Sequence, residues 1–402
     1  MSFGVHGCDW RGRRNAMTPK TMILTEIIAP YRIPVFNALA RRVGMDLHVI
    51  FLAETDRALR QWRIYTEEIH FSYEVLPSWR WRVGKHSCLI NWGLWSALSK
   101  ASPQVIICGG YNYPASWEAL FWARRHGVRF VLWSESNSQD ARAGRPWVES
   151  LKAYFVRHCD RFIVPGKASF EYLRSLGSPV ASISIAPNAV DNGLYAAQAE
   201  YTRVHAAEFR AQLQLPLRFI LFAGRVIPEK GVFDLLRAYA KLESGLRSEV
   251  GLVFAGDGIA REELSQQAKR ICPGTVCFPG FVQREDLARF YALAETLVLP
   301  THSDPWGLVV NEAMACGIPI IVSSVAGCTS DLVEDGWNGY VVPPRDLQKL
   351  SQAIDSLLRQ PELQQRMSAH SAERIRNYSP EACAGGLATA AVSATTEAPW
   401  IP

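Results

Sequence analysis

Short runs of apolar, often β-branched residues alternate with stretches of helical periodicity along most of the 402-residue chain. This alternation predicts parallel β-sheets covered by helices, that is, an α/β fold. In the first half, the predicted strands are residues 22–28, 47–52, 105–108, 130–134, 161–164 and 183–186. The rhythm stops at residues 187–216, where a Pro-Asn turn is followed by polar and alanine-rich sequence. It resumes with predicted strands at 219–223, 251–255, 276–278, 296–299, 320–323 and 340–342.

The interruption divides the chain into two predicted α/β domains, residues 18–190 and 217–375, joined by a linker at 191–216. Residues 347–375 are predicted to be helical. Residues 376–402 are expected to hold the end of that helix and a flexible tail rich in Ala, Ser and Thr. Ligands of such sheets bind beyond the carboxyl ends of the strands. We therefore expect two facing domains with parallel sheets that both contribute loops to one interdomain cleft.

Composition and charge exclude several classes of protein. A hydrophobic content of 48% and a charged content of 20% are typical of a globular chain, and a net charge of +5 is too small to indicate nucleic-acid binding. No apolar run reaches the roughly 18–20 residues that span a bilayer. The first 20 residues lack the apolar core of a secretory signal, and Met17 is a second candidate start. Nine scattered cysteines indicate reduced thiols in a cytoplasmic protein.

A loop with the features of an anion site follows the predicted strand 219–223. Gly224 allows the backbone to approach a ligand, and a helix is predicted to begin near residue 232. Arg225 and Lys230 add two positive charges to the same loop. A helix N-terminus and two cations together suit a diphosphate. The alternative is an ordinary βα loop with two solvated basic residues.

Residues 300–317 form a second candidate loop. A helix is predicted from Leu308, so the amides of Gly307 and Leu308 are expected to face the cleft and to be available to an anion. Asp304 precedes this helix and Glu312 lies about one turn into it. Their carboxylates can accept hydrogen bonds from sugar and ribose hydroxyls. Alternatively, Asp304 is a turn residue and Glu312 pairs locally.

Three other activities are disfavoured by the motifs. The chain has no G-x-x-x-x-G-K-[ST] segment, which argues against a P-loop ATPase or kinase. Gly256-Asp257-Gly258 is not followed by the third glycine of a dinucleotide fingerprint, so a dehydrogenase is unsupported. Asp304 and Glu312 are eight residues apart, roughly 12 Å along a helix, whereas the two carboxylates of a glycosidase stand about 5–9.5 Å apart.

These motifs resemble glycosyltransferase family 4, whose members have the GT-B fold of two facing Rossmann-like domains and transfer sugars with retention of anomeric configuration. The matching segments are Pro187-Asn188-Ala189-Val190-Asp191, Gly224-Arg225, Glu229-Lys230-Gly231, Ala255-Gly256-Asp257-Gly258, Glu312-Ala313-Met314-Ala315-Cys316-Gly317, Asp331-Leu332-Val333 and Asn338-Gly339. The resemblance covers most of the chain and is densest from Asn188 to Pro343. It implies a nucleotide diphosphate sugar as the donor substrate, a UDP-sugar by default, with no cofactor and no essential metal.

The resemblance implies a role for each candidate of the second domain. It places Arg225 and Lys230 at the diphosphate, Asp304 at the donor sugar and Glu312 at the ribose hydroxyls. The other donor-binding residues that it implies are Gly224, Gly256, Asp257, Gly258, Phe281, Val282, Trp306, Gly307 and Leu308. Two departures bear on which sugar is held, since Asp304 stands where the family usually has Glu and Trp306 stands where Phe is common.

The first domain matches the family less well. The family's Gly-Gly loop is replaced by Ala29-Pro30-Tyr31-Arg32-Ile33-Pro34, so Tyr31 and Arg32 are interpreted as facing the acceptor or a phosphate. Glu135 lies where a histidine is common, and it either orients the donor sugar or acceptor hydroxyl or binds amides at the strand end. The resemblance further implies that the leaving phosphate helps to deprotonate the acceptor, so that the protein positions substrates and stabilises the departing charge. The expected catalytic residues are Arg225, Lys230, Asp304, Glu312 and Glu135.

Ten of the 13 tryptophans precede residue 150. A patch of aromatic and basic residues lies among them, made of Trp79, Arg80, Trp81, Arg82, Lys85, His86, Trp92 and Trp95. Such a patch suits a membrane interface or a carbohydrate platform. We therefore interpret Trp79 and Trp81 as acceptor-side residues and expect weak peripheral contact with the inner face of the membrane. The alternative is a set of core aromatics with solvated arginines.

Together, the motifs and the resemblance predict a retaining hexosyltransferase. It would move a sugar to a glycan, lipid-linked or small-molecule acceptor, as in polysaccharide biosynthesis, and no nucleic-acid partner is expected. An epimerase or phosphorylase of the same fold, or a non-catalytic sugar-nucleotide-binding protein, is the alternative.

Overall fold

A computed structural model describes residues 19–56, 60–83, 86–138 and 146–397. The strands of its first half are β1 (Lys20–Ile27), β2 (Asp46–Ala53), β3 (Ser72–Val75), β4 (Ser78–Val83), β5 (His86–Asn91), β6 (Val105–Cys108), β7 (Arg129–Trp133), β8 (Arg161–Val164) and β9 (Ile183–Ile185). All except the β4–β5 hairpin join one parallel sheet in the order β3-β2-β1-β6-β7-β8-β9. The predicted strands of this half are present, whereas β3 and the hairpin were not predicted.

The second half contains a matching parallel sheet. Its strands are β10 (Arg218–Ala223), β11 (Val250–Ala255), β12 (Val276–Gly280), β13 (Thr296–Leu299), β14 (Ile320–Ser323) and β15 (Gly339–Val342). They lie in the order β12-β11-β10-β13-β14-β15. In each sheet the strand order reverses beside the first strand, between β1 and β6 in one sheet and between β10 and β13 in the other. The loops that follow these two strands run to opposite faces of the sheet and leave a crevice between them. This confirms the predicted α/β class with two doubly wound sheets.

Helices cover both sheets. They are α1 (Ile33–Ala40), α2 (Leu94–Ala101), α3 (Pro114–His126), α4 (Pro146–Arg157), α5 (Lys167–Ser175), α6 (Asn192–Val204), α7 (Ala206–Gln212), α8 (Val232–Ala240), α9 (Ser244–Glu249), α10 (Arg261–Ile271), α11 (Arg284–Leu293), α12 (Leu308–Ala315), α13 (Thr329–Leu332), α14 (Leu347–Arg359), α15 (Pro361–Ile375) and α16 (Pro380–Thr396). Side chains alternate between the two faces of β1, so Met22 and Leu24 enter one apolar cluster and Ile23 enters another. Because both faces of the sheet are buried, the sequences of these strands are continuous apolar runs.

The segment 191–216, expected to be a linker, is mostly helical. Asp191 begins α6 by accepting a hydrogen bond from the amide of Leu194 at 2.9 Å. Tyr195 and Phe209, on α6 and α7, are buried in the core of the second sheet. The alanine-rich composition therefore encodes helices that pack on the second domain.

The segment after residue 376, expected to hold a flexible tail, is helical over most of its described part. Residues 380–396 form α16, in which Ser379 accepts a hydrogen bond from the amide of Ala382 at 3.2 Å. Leu387 and its alanine neighbours are buried against the first sheet, beside α1. A Cβ on Gly386 would lie 2.2 Å from the carbonyl oxygen of Ile185, so the small residues allow a close helix–strand contact. The end of the chain thus returns to the first domain.

None of the described helices is both long enough and apolar enough to cross a membrane.

Candidate functional site

A cleft of about 620 Å³ opens between the two sheets, beyond the carboxyl ends of their strands. Loops of both domains line it. Contacts between the domains fix its walls. The amide of Lys167, at the start of α5, donates to the Asp331 carboxylate of the second domain at 3.1 Å. On the other side, the guanidinium of Arg284 forms an ion pair with Glu68.

The loop after β10 is held by the loop after β11. The amide of Gly224 donates to the Ala255 carbonyl at 3.0 Å, and the amide of Val226 donates to the Asp257 carbonyl at 2.8 Å. A Cβ on Gly256 would lie 1.8 Å from the carbonyl oxygen of Gly224, and one on Gly258 would lie 2.4 Å from that of Val226. The Gly-Asp-Gly motif is therefore required by the close approach of two loops, and all three of its residues line the cleft.

Lys230 and Asp304 form an ion pair across the crevice of the second sheet. Nζ of Lys230 lies 2.5 Å from Oδ2 of Asp304, and the two side chains are only 14% and 13% exposed. Arg225 also lines the cleft, and its guanidinium forms no ion pair with any described residue. The two basic residues predicted from the sequence thus share one cleft, one of them paired and the other available.

The loop after β13 ends in the N-terminus of α12. Gly307 precedes the helix with φ 98°, a left-handed conformation that favours glycine, and no side chain caps the first turn. The amides of Gly307 and Leu308 therefore meet the cleft without a side-chain partner among the described residues. The loop is braced by Gly327, whose amide donates to the Asp304 carbonyl at 3.0 Å and whose Cβ would lie 1.8 Å from the Pro305 carbonyl oxygen.

Trp306, expected to contact the donor, lines the cleft and also supports the loop. It is 3% exposed, and its indole N–H donates to Oδ1 of Asn311 at 2.8 Å. The side-chain Nδ2 of Asn311 in turn donates to the backbone carbonyl of Asn188 at 2.8 Å. The Pro-Asn turn between the domains is therefore tied directly to the helix that carries Glu312.

Glu312 is held by buried tyrosines. The hydroxyl of Tyr291 donates to Oε2 of Glu312 at 2.7 Å. Burial raises the pKa of Glu312 to about 7, and the hydrogen bonds from Tyr291 and Tyr195 and the positive charge of Arg284 oppose this shift. The carboxyl group therefore changes its charge near neutral pH, at the wall of the cleft.

The pKa of Glu312 predicts a specific pH dependence of stability. Because its folded pKa lies above its ordinary value of 4.5, its contribution to the free energy of unfolding is fully present below pH 4.5 and is lost as the pH rises through about 7. The loss amounts to roughly 3 kcal/mol. The free energies of unfolding of the wild type and Glu312→Gln should therefore diverge between about pH 4.5 and 7 and keep a constant offset above that range, whereas parallel curves from pH 4.5 to 7 would show that the carboxyl is not perturbed.

Residues of the first domain face the Asp304 loop. Glu135 lines the cleft and accepts a hydrogen bond from Nη2 of Arg32 at 2.8 Å, and the Arg32 guanidinium lies 4.1 Å from the Trp133 ring centroid. The side-chain Nδ2 of Asn137 donates to the backbone carbonyl of Pro305 at 3.2 Å, which brings this segment against the loop of Asp304. Of the five first-domain candidates, Tyr31 and Glu135 line the cleft, whereas Arg32 lies behind Glu135.

Trp79 and Trp81 do not belong to the described lining of the cleft. Alternation along β4 turns Arg80 inward, where it binds Glu26 and Asp56, and leaves both tryptophans more than half exposed on the outer face of the hairpin. Lys85 and the side chains of Arg82 and His86 lie outside the described residues. Of the proposed aromatic and basic patch, Arg80 is therefore paired with carboxylates, whereas Trp79 and Trp81 are exposed.

Sequence reasoning missed several residues that shape the site. The cleft wall also contains Arg60, Trp62, Tyr65, Tyr195 and Arg284. Most of these residues lie at the site only because the two domains contact each other, and no local sequence motif indicates them. No group of three His, Cys, Asp or Glu that could hold a metal ion occurs among the described residues.

Two family models match successive parts of the chain. Residues 35–193 match Glycosyltransferase Family 4 and residues 206–374 match Glycosyl transferases group 1. Among curated proteins, the chain is 30% identical to the glycogen synthase of Mycobacterium tuberculosis over 57% of this chain and 52% of that protein. It is 35% identical to the alpha-D-kanosaminyltransferase of Streptomyces kanamyceticus over 42% of this chain and 44% of that protein. The aligned regions thus span about half the length of these relatives.

Solved structures with the same fold cover nearly the whole chain. The Anabaena protein HepE, in complex with UDP and glucose, has a TM-score of 0.72 at 18% identity and is matched over 92% of this chain and 98% of its own. Sucrose-phosphate synthase from Thermosynechococcus elongatus has a TM-score of 0.69 at 21% identity, over the same shares of the two chains. Such low identities show the fold alone. The family matches and this fold confirm the resemblance: the chain is a glycosyltransferase of the family 4 type, with two Rossmann-like domains in the GT-B arrangement.

Proposed function

We propose that the protein is a retaining hexosyltransferase whose donor, by default a UDP-sugar, binds in the cleft with its diphosphate against the second domain. One observation carries this proposal. Arg225, Lys230 and the uncapped N-terminus of α12 line the same cleft at the crevice of the second sheet. Cations and free amides at one point are the groups that bind a pyrophosphate.

The proposed reaction assigns these groups to the departing charge. Arg225, Lys230 and the amides of Gly307 and Leu308 would stabilise the diphosphate as the sugar leaves it. Lys230 already contacts Asp304, so the carboxylate proposed to bind the donor sugar lies beside the cation proposed to bind the diphosphate. Glu312 would accept hydrogen bonds from the ribose, and Glu135, oriented by Arg32, would face the acceptor from the first domain.

The relatives support a sugar-nucleotide donor without defining the acceptor. Structures of HepE contain UDP or UDP-glucose, which favours uridine as the base in this chain. The curated relatives include a glycogen synthase and a D-inositol 3-phosphate glycosyltransferase from Streptomyces griseus, whose names describe very different acceptors. We therefore propose a glycan, lipid-linked or small-molecule acceptor.

We propose a division into an acceptor domain, residues 18–190 together with α16, and a donor domain that begins with α6. This changes the division expected from the sequence. The buried contacts of α16 with α1 and of α6 with α11 support it.

A thermal-shift screen with UDP-, GDP- and ADP-sugars tests the proposed donor, because a ligand that binds only the folded protein raises its melting temperature. The sugar nucleotide that binds is then radiolabelled and incubated with the protein, with and without candidate acceptors. Transfer that requires an acceptor supports the glycosyltransferase, whereas an altered sugar nucleotide without acceptor indicates an epimerase. No shift with any of the sugar nucleotides would contradict the proposal.

We also propose that the protein acts in the cytoplasm at the inner face of the membrane, through an aromatic band on α2, α3 and α4. This band consists of Trp95, Phe121, Trp147, Leu151 and Tyr154, which are 37–67% exposed. Ring contacts join its three helices, because the Trp95 and Phe121 ring centroids lie 6.2 Å apart and the Tyr154 centroid lies 6.3 Å from that of Trp117, another residue of α3.

The charge beside the band favours an anionic lipid surface. Arg125 lies one turn beyond Phe121, and Arg157 lies three residues beyond Tyr154. Both are exposed, and neither forms an ion pair with a described residue. Aromatic rings bordered by cations are typical of proteins that lie on a membrane interface.

Flotation with phosphatidylglycerol vesicles at low salt tests the membrane contact. The wild type is expected to float, and the double variant Trp147→Ser, Leu151→Ser should bind at least about tenfold more weakly because two exposed apolar side chains are lost. Leu217→Ser is the matched control, since Leu217 is 75% exposed on the second domain. Absence of flotation by the wild type would remove the proposal.

A further inference from the structure

The first-domain segment 60–68 forms the wall of the cleft opposite the loop that precedes α11. The backbone amide of Arg63 donates to Oε1 of Gln283 at 3.1 Å, and Nε2 of Gln283 donates to the Gln61 carbonyl at 3.1 Å. The hydroxyl of Tyr65 donates to Oε2 of Glu285 at 2.8 Å. These bonds hold the segment against the second domain, so its side chains take part in the same cleft as the donor loops.

Arg60 introduces a positive charge into this cleft beside Arg225. Both arginines line the cleft, one from each domain. The Arg60 guanidinium lies 4.8 Å from the Trp62 ring centroid, and it forms no ion pair with a described residue. Burial, and after it the charge of Arg60, lowers the pKa of Arg225. The carboxylates of Asp304 and Glu229 oppose this shift, but neither forms an ion pair with Arg225 or Arg60 among the described residues. The two guanidinium groups therefore repel each other, and an anion bound between them would relieve that repulsion.

Trp62 provides a second, independent indication of a ligand. Its side chain is half-buried and lines the cleft beside Arg60. The indole Nε1 is buried, and no described residue accepts its hydrogen bond. A buried N–H donor without an acceptor is costly, and a ligand oxygen in the cleft would satisfy it.

We propose that Arg60 is a third cation of the diphosphate site, contributed by the first domain, and that the Trp62 indole N–H donates to the same ligand. The diphosphate would then bridge Arg60 of one domain and Arg225 and Lys230 of the other. Binding of the donor would thereby favour the closed arrangement of the two domains. This inference rests on the proposed function, since it places a further group on the proposed donor.

Calorimetry with UDP, GDP and ADP tests the inference on the full chain. For the diphosphate that binds the wild type, Arg60→Gln is expected to lower the affinity by about 10- to 100-fold. Arg60→Lys is expected to keep part of that affinity. Arg63→Gln is the matched control, because Arg63 lies in the same segment, is 63% exposed and pairs with Glu67 outside the cleft lining. Its affinity should stay within about twofold of wild type. The melting temperature of Arg60→Gln without ligand should not fall below that of the wild type, because the substitution removes the repulsion between Arg60 and Arg225.

The outcomes separate this inference from the proposed function. If none of the three diphosphates binds the wild type, the donor site itself is wrong. If a diphosphate binds and Lys230→Ala weakens it while Arg60→Gln does not, the donor site stands and the role of Arg60 is refuted. A variant Arg60→Gln that keeps diphosphate affinity but needs more acceptor for half-maximal rate would assign Arg60 to an anionic acceptor, which also overturns the inference.

Discussion

Lys230→Ala is expected to weaken binding of the donor by more than a hundredfold, about 3 kcal/mol. The substitution removes a cation that the structure directs into the cleft. It also leaves the Asp304 carboxylate, which is 13% exposed, without its ion-pair partner and with its negative charge facing the donor. Both effects act against an anionic ligand. Isothermal titration with UDP, or with whichever nucleoside diphosphate binds the wild type, measures the loss.

A lysine elsewhere on the donor domain provides the control for this prediction. Lys241 lies exposed at the end of α8, and Lys241→Ala should bind the nucleotide as the wild type does. Lys230→Gln keeps most of the side-chain volume and should show nearly the same loss as Lys230→Ala, because the charge carries the effect. Wild-type affinity in either Lys230 variant would count against a diphosphate at this position.

Gly231→Ala is expected to abolish most activity by displacing the loop that carries Lys230. Gly231 has φ 69°, and an added Cβ would lie 2.0 Å from the carbonyl oxygen of Pro300 at the end of β13. The clash can be relieved only if the backbone at Gly231 or at Pro300 moves, and either shift would displace one of the two loops that border the crevice. We expect a destabilisation of about 3 kcal/mol, which lowers the melting temperature by roughly 6–12 °C.

Gly245→Ala is the matched control, because no atom lies within 4 Å of the Cβ it would introduce and Gly245 lies inside α9. Alanine favours the helix by up to about 1 kcal/mol, so this variant should melt at the wild-type temperature or above it and keep its activity. If Gly231→Ala behaved like Gly245→Ala in calorimetry, the close contact of the two loops would be refuted.

The fold was predictable because parallel strands buried on both faces leave continuous apolar runs in the sequence. The second domain was also predictable at the level of its loops. At Gly231, Gly256 and Gly258 the backbone lies so close to a carbonyl oxygen of another loop that a Cβ would not fit. This constraint can be recognised in the sequence, because it requires glycine at these positions. Lys230 and Asp304 are 74 residues apart, yet each follows a strand end at the same crevice, and the two meet there.

Other parts of the structure depend on contacts that leave no local signal. The composition of α16 suggested a flexible tail, because small residues lower the apparent hydrophobicity of a helix that they allow to pack closely. Arg60 and Trp62 reach the cleft only because segment 60–68 binds the second domain. Arg80 belonged to a predicted basic patch, but the pleat of β4 turns it inward to two carboxylates.

A co-crystal structure with UDP tests the central claim most directly. We expect phosphate oxygens within about 3 Å of the Arg225 guanidinium, of Nζ of Lys230 and of the Gly307 or Leu308 amide at the N-terminus of α12. The ribose should lie at Glu312. A diphosphate bound elsewhere, or one that contacts only one of these three groups, would contradict the proposed donor site.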